Sequence, residues 1–354
     1  MPLTVPKSVS HAAAIASPAS EDGSEARARR QALRAHHGLA ESRILAGNVR
    51  YLKITGFEWV RDETGLAYDG AMRFLKGGDA VIVDLRGNGG GSSEAIQYLT
   101  SHFLDADTLL LTFLQGSETP FQSRSLSHLP AGRLKGKPLY VLIDGGVASA
   151  AEEFAYHVHQ FKLGELVGAR TAGAANNNRF VPIAPSFVLS VSVGRPVHAV
   201  SKANWEGVGI EPSVEAPPTQ ALDVAHSLAL GRLARTRGAA PEDIADYAWA
   251  RTGVEARLHP VSLPPERLRA LAGAYGEISV AFRNGALWLT RLNRPARRLT
   301  PLTSGGLFAV EEIDVLRVRF TPKGLELLRQ DEAAPRLFEE DLTAPQPDIE
   351  ATSR

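Results

Sequence analysis

PLYVLIDGGVASAAEEFAYHVHQFKLGELVGARTAG, residues Pro138 to Gly173, is the stretch whose reading decides the fold. Leu139 to Ile143 is a short apolar run of the kind that forms a buried strand. Asp144-Gly145-Gly146 interrupts it, as acidic and glycine residues do at turns. Ala148-Ser149-Ala150-Ala151-Glu152 then opens a segment rich in helix formers. Ser149 therefore falls where a strand passes into a helix, at the helix N-terminus. Unpaired backbone N–H groups and the positive end of the helix dipole gather there. Two readings of Ser149 follow. With Glu152 three residues on, it fits a capping box. As an exposed hydroxyl beside convergent N–H donors, it fits a nucleophile with an oxyanion site.

Working outward, Asp79 to Phe103 repeats the pattern. Ala80 to Leu85 reads as a buried strand, Gly87-Asn88-Gly89-Gly90-Gly91 as a turn, and Ser92-Ser93-Glu94 as a helix start. Three consecutive glycines suit a sharp turn or a close backbone approach to a ligand. The run lacks the Gly-Lys-Ser/Thr ending of a phosphate-binding loop, and Ser92 stands where a dinucleotide fingerprint needs its third glycine. The recurring order of strand, glycine turn and helix implies an α/β fold with helices packed over a sheet.

Four blocks in this order resemble the S41 family of serine peptidases, the tail-specific or C-terminal-processing group. They are Asp84 to Gly91, Ala148 to Glu152, Val167-Gly168 with Thr171 and Gly173, and Trp205 to Pro212, spread over Gly47 to Val214. The runs SAAEEFAY (Ser149 to Tyr156) and NWEGVGIEP (Asn204 to Pro212) resemble the branch of retinoid-binding-protein repeats and the tricorn protease core. The resemblance implies a ClpP- and crotonase-like β-superhelix core with helices. It also implies Ser149 as nucleophile and Glu206 as the acidic residue that supports the site. Oxyanion stabilisation needs two backbone N–H donors aimed at one point. Ala150 supplies one and the Gly90-Gly91 turn the other, with Gly91 the first choice.

The chain departs from the family's pattern at the base. In the tricorn-like branch a histidine sits in a strand resembling Tyr51-Leu52-Lys53-Ile54, and here that place is Lys53. A lysine withdrawn from water can act as a general base; an exposed strand lysine is the plainer reading. The other branch uses a lysine in a turn that matches Thr171 to Asn176, which has none. His157 and His159 lie roughly 12 Å or more along the helix from Ser149 at ~1.5 Å per residue, so neither is cast as the base. His198, in a loop after the expected strand Phe187 to Val193, is held as a second candidate. The doublet His36-His37 reads as a solvated helix end, and Ser213 replaces an aspartate that usually closes the Trp205 block.

The rest of the chain supplies the frame. The 354 residues carry a formal net charge of zero and no cysteine. Neither nucleic acid nor an anionic membrane surface is suggested as a partner, and disulfide and thiolate chemistry are excluded. No run is long and apolar enough for a transmembrane helix. The Ser-, Ala- and Pro-rich start lacks the apolar core of a signal peptide, which leans towards a cytoplasmic protein without fixing the compartment. The expected order is a disordered N-terminus (1–24), a core with a shortened N-terminal helical region (25–237), a helical connector (238–275), a small antiparallel β-domain (276–330) and a C-terminal tail (331–354). Asn284-Gly285 is a hairpin signal within the β-domain.

Two functions are compatible with these residues. One is a serine-type endopeptidase acting on unfolded proteins or peptides through an acyl-enzyme on Ser149, with Lys53 and Glu206 as its other catalytic residues. Gly90, Gly91 and Ala150 form its oxyanion hole, and it needs no metal or organic cofactor. The other is a non-catalytic protein of the same fold that binds an apolar ligand or a peptide. Homo-oligomerisation is left open by the sequence.

Overall fold

The structure, a computed structural model, describes residues 21–292 and 294–343. The chain divides into two compact units, one ending at Leu233 and the other starting at Ala234. Most of the N-terminal stretch expected to be disordered lies outside the described residues, and helix α1 (Glu21–Arg34) starts within its last few. Of the expected C-terminal tail, residues 344–354 lie outside the described residues.

The first unit is mixed α/β. A hairpin of β1 (Leu39–Leu45) and β2 (Val49–Ile54) leads through α2 (Arg61–Lys76) to β3 (Ala80–Asp84) and α3 (Ser93–Ser101). After β4 (Leu109–Leu114) and β5 (Phe121–Arg124), the chain enters β6 (Leu139–Ile143), α4 (Ala150–Gln160) and β7 (Glu165–Gly168). β8 (Asn177–Ala184), β9 (Phe187–His198), β10 (Val214–Glu215) and α5 (Ala221–Leu233) complete it. The main sheet has the order β1-β2-β3-β6-β7-β10. All its pairings from β2 onward are parallel.

Burial explains why β3 (AVIVD) and β6 (LYVLI) read as unbroken apolar runs. Every residue of both strands is buried, as expected of central parallel strands covered on both faces. Side chains alternate between those faces. Leu52, Ile54, Val81, Val83, Leu85, Val141 and Ile143 share one core with Ala151, Phe154 and Val158 of α4. Residues of opposite parity, including Tyr51, Lys53 and Asp84, point to the other face. Helix α5 packs against β2, β3, β6 and β7.

A second sheet runs β5-β4-β9-β8. Only the last residues of β9, Arg195 to His198, pair with β4. The rest of β9 pairs with β8 alone as a long two-stranded ribbon.

The second unit contains α6 (Pro241–Leu258), α7 (Pro265–Arg269) and an antiparallel meander. Its strands are β11 (Gly273–Tyr275), β12 (Ile278–Arg283), β13 (Ala286–Arg291), β14 (Arg297–Pro301), β15 (Leu307–Val310), β16 (Leu316–Thr321), β17 (Gly324–Arg329) and β18 (Arg336–Phe338). Each strand pairs with the next in sequence. Asn284 and Gly285 both have positive φ, 50° and 78°, and join β12 to β13 in the two-residue turn that such a pair favours. The sheet continues past residue 330 into the segment read from sequence as tail. There a bridge between Tyr275 and Glu340 brings the end of the meander back to β11. Val280, Phe282, Leu287, Leu289, Phe308 and Val318 fill its core.

Candidate active site

Ser149 is the cap of α4 and has φ 54° and ψ −124°. A positive φ is uncommon for a residue with a side chain and costs on the order of 1–3 kcal/mol. The turn from β6 into α4 imposes it, as in the strained strand-to-helix elbow that exposes a nucleophilic serine. The Val147 N–H bonds to the Asp144 carbonyl at 3.0 Å and the Ala148 N–H to the Asn88 carbonyl at 3.0 Å. The second bond ties the elbow to the glycine turn.

The glycines are there because backbone meets backbone. A Cβ at Gly90 would lie 2.8 Å from both the Ala148 carbonyl oxygen and the Ser149 Cβ, and 2.9 Å from the Ala150 nitrogen. Gly91, at φ 138°, is pressed against Phe57, whose carbonyl oxygen would sit 2.0 Å from an added Cβ. The Gly90 N–H donates to Asn88 Oδ1 at 2.9 Å. Asn88 is fully buried and donates in turn to the Ile54 carbonyl at 2.9 Å. Ser149, Ala150 and Gly90 thus converge, with the Gly90 N–H already engaged inside the turn, and Gly91 follows against Phe57.

Glu152 does more than close a cap. Its buried carboxylate accepts the Ser149 N–H at 3.0 Å. It also accepts the Thr171 hydroxyl at 2.6 Å, the Gly173 N–H at 2.6 Å and the Ala174 N–H at 2.8 Å. One carboxylate joins the start of α4 to the turn after β7. Charge-assisted bonds of this kind contribute about 1.5–3 kcal/mol each. The sequence shows Glu152 only as a local cap; its tie to Thr171 is a tertiary contact that spacing does not reveal.

Glu206 is exposed and braces the same turn from another side, accepting the Ala175 N–H at 2.8 Å and the Asn176 N–H at 2.7 Å. Its hydrogen bonds go to backbone.

The structure does not bring Lys53 to Ser149. Lys53 points to the sheet face opposite that of α4, where its Nζ lies 3.4 Å from Asp84 Oδ2 and 3.3 Å from the Arg86 carbonyl. Asp84 is fully buried and also accepts the Tyr51 hydroxyl at 2.7 Å and the Arg86 guanidinium at 2.6 and 2.9 Å. Burial pushes the Asp84 carboxyl up. The hydrogen bonds from Arg86 and Tyr51 outweigh it, so the net shift is below the usual carboxylate value.

His198 is likewise turned elsewhere. It ends β9, fully buried, rather than lying in a loop. The Val200 N–H donates to its Nδ1 at 3.1 Å, so its proton is on Nε2. That proton faces His157 Nδ1 at 3.1 Å. His157 Nε2 in turn faces Glu153 Oε1 at 3.5 Å. Burial drives both histidines down to about 3 and Glu153 up to about 8. Glu153 Oε2 also lies 3.5 Å from the Ser93 hydroxyl beside the glycine turn. The sequence gives no sign of this buried string. His37, read as solvated, is also buried and bonds to the Thr64 hydroxyl at 2.9 Å.

Comparison with known proteins bears on the same residues. Carboxy-terminal processing protease CtpB of Bacillus subtilis (strain 168) is 24% identical over 180 residues, covering 49% of this chain and 35% of the relative. CtpA of the same organism is 30% identical over 135 residues, 37% of this chain and 27% of the relative. The chain thus spans about a third or less of the length of these curated relatives. The solved photosystem II D1 C-terminal processing protease shares 24% identity over 48% of this chain and 43% of its own, with a TM-score of 0.39. The family model for peptidase family S41 matches residues 48–216, which hold the glycine turn, the Ser149 elbow and the Trp205 block. By that match, residues 48–216 of this chain belong to peptidase family S41.

Proposed function

We infer that the protein is a serine-type endopeptidase that cleaves peptide bonds of unfolded proteins or peptides through an acyl-enzyme on Ser149. The observation that carries this reading is the φ of 54° at Ser149, with Gly90 packed against Ser149 Cβ and the Ala150 nitrogen. A residue that only caps a helix has no need of that strain.

In this mechanism the Ser149 Oγ attacks the scissile carbonyl carbon. The oxygen of the tetrahedral intermediate takes hydrogen bonds from the Ala150 N–H, at the positive end of α4, and from the Gly91 N–H. A general base takes the proton of the serine hydroxyl and passes it to the departing amine as the intermediate collapses; water then hydrolyses the ester, giving the acid and restoring the Ser149 hydroxyl. Glu206 acts as a positioning residue for the Ala175–Asn176 turn. Lys53 is also a positioning residue, since it anchors Asp84 and the Arg86 carbonyl where β3 enters the glycine turn. The two sheets of this unit are read as the β-superhelix core of ClpP- and crotonase-like proteins.

The position of Lys53 favours a second reading, a binding protein of the same fold for an apolar ligand or a peptide. A fluorophosphonate probe separates the two. Labelling of wild type on Ser149 by peptide mass analysis, with cleavage of a denatured protein that Ser149→Ala abolishes, supports the peptidase. An unlabelled and inert wild type supports the binder.

A further inference from the structure

Ser93 and Glu153 join α3 to α4 beneath the candidate active site. Ser93 is exposed at the start of α3, two residues past Gly91. Glu153 is buried on α4, one turn past Ser149, whose carbonyl accepts the Glu153 N–H at 3.0 Å. Glu153 Oε2 lies 3.5 Å from Ser93 Oγ.

The proton positions behind this pair follow from one backbone contact. The Val200 N–H occupies His198 Nδ1, which puts the His198 proton on Nε2, facing His157 Nδ1 at 3.1 Å. A neutral His157 then carries its own proton on Nε2, which faces Glu153 Oε1 at 3.5 Å. Glu153 Oε1 is thereby an acceptor, and the proton of a neutral Glu153 sits on Oε2, towards Ser93. In that state the acid donates to Ser93 Oγ, and the Ser93 hydroxyl turns its own proton outward. Once Glu153 ionises, Ser93 turns its proton inward, and a full negative charge stands one turn below Ser149.

The surroundings favour the neutral acid. Burial opposes ionisation of Glu153, and the negative charge of Glu94 on α3 adds to it. Burial also keeps His157 and His198 neutral, and Lys202 further opposes a charge on His198. Among the described residues, Glu153 has no lysine or arginine in ion-pair reach. The charge matters because the same end of α4 would hold an oxyanion. A negative Glu153 would offset the helix dipole there and repel the oxyanion through a low-dielectric interior.

On the serine-peptidase reading of this site, we propose that Glu153 is a positioning residue that works in its neutral form, setting the Ser93 hydroxyl and keeping opposing charge away from the oxyanion site at Ala150 and Gly91. The test is the rate at which a fluorophosphonate probe labels Ser149 of the full chain from about pH 6 to about pH 10, with circular dichroism confirming the native fold at each pH. In labelling, the Oγ–P bond forms, the P–F bond breaks, fluoride leaves and the hydroxyl proton goes to the base, while the phosphoryl oxygen gains charge in the oxyanion site. The wild-type rate should fall about tenfold as pH rises through about 8, the size of one pKa unit of mutual repulsion. Glu153→Gln, which cannot ionise, should show no such fall. Ser93→Ala changes an exposed residue and removes a hydrogen bond that favours the ionised form, so its fall should move to higher pH. A wild-type rate that stays level or rises through this range overturns the proposal. So does a fall with the wild-type midpoint in either variant. A native wild type that is unlabelled at every pH overturns the peptidase reading itself, and this role with it.

Discussion

Glu152 and Thr171 are joined by a hydrogen bond of 2.6 Å inside the core, although the two belong to separate elements. Thr171 is itself fixed, its hydroxyl accepting the Ile210 N–H at 2.8 Å. The pair is the hinge pin between the elbow, the turn after β7 and the Trp205 block. Glu152→Gln keeps the shape but sets an amide N–H against backbone N–H groups. It is expected to cost on the order of 3 kcal/mol. Urea unfolding of the variant measures it, and a loss below about 0.5 kcal/mol would contradict the bracing role.

Ser149 offers a sharper pair of variants. Alanine retains the Cβ and therefore the strain at φ 54°; glycine removes both. Ser149→Gly should be more stable than Ser149→Ala by about 1 kcal/mol, while both lack hydrolytic activity. Equal melting temperatures would mean that the elbow is relaxed.

Lys53 is tied to Asp84, which retains Arg86 and Tyr51 when the lysine is removed. Lys53→Met is expected to leave kcat/KM for peptide cleavage within about tenfold of wild type, with an unchanged pH profile. A general base would cost about 10²–10⁴-fold. A loss of that size in a folded variant would return Lys53 to the role that the sequence suggests.

The string behind α4 makes stability depend on pH in two opposing ways. Glu153 titrates near 8 in the native protein, raised by burial, against an ordinary 4.5. Between those values the native state holds a proton that the unfolded chain releases, so stability is lost as pH rises through this window. His157 and His198 are lowered to about 3 from an ordinary 6.5. The unfolded chain takes up protons first, so stability is lost as pH falls below 6.5. Glu153→Gln should remove the alkaline loss alone. From about pH 5 to pH 8, its unfolding free energy should gain on wild type at a slope approaching 1.4 kcal/mol per pH unit. Parallel curves would count against a neutral Glu153.

Much of this was readable from local pattern. The apolar runs of β3 and β6 and the glycine turn needed no tertiary information, because each is set by burial or by backbone sterics at its own position. The boundary of Ser149 with α4 was legible for the same reason. The position of Lys53 was not: whether a strand lysine faces the nucleophile depends on which sheet face its parity selects. Leu52 and Ile54 went to the face of α4, and Lys53 had to go to the other. His198 was misplaced because β9 runs on to join β4, a pairing fixed by distant residues. Glu153 and His157 look like an ordinary amphipathic helix face until His198 arrives from the far strand.

Among the described residues, the meander of the second unit has one seam, the bridge between Tyr275 and Glu340, and its other strand pairings join neighbours in the chain. Local pairings close small loops and form early, whereas the seam must wait for the whole meander. In hydrogen exchange, the amides of β11 and β18 should therefore be the first of this sheet to lose protection, and those of β13 to β16 the last. Opening there would proceed like a zip from the seam, and a ligand that bridged Tyr275 and Glu340 would slow exchange across the entire sheet.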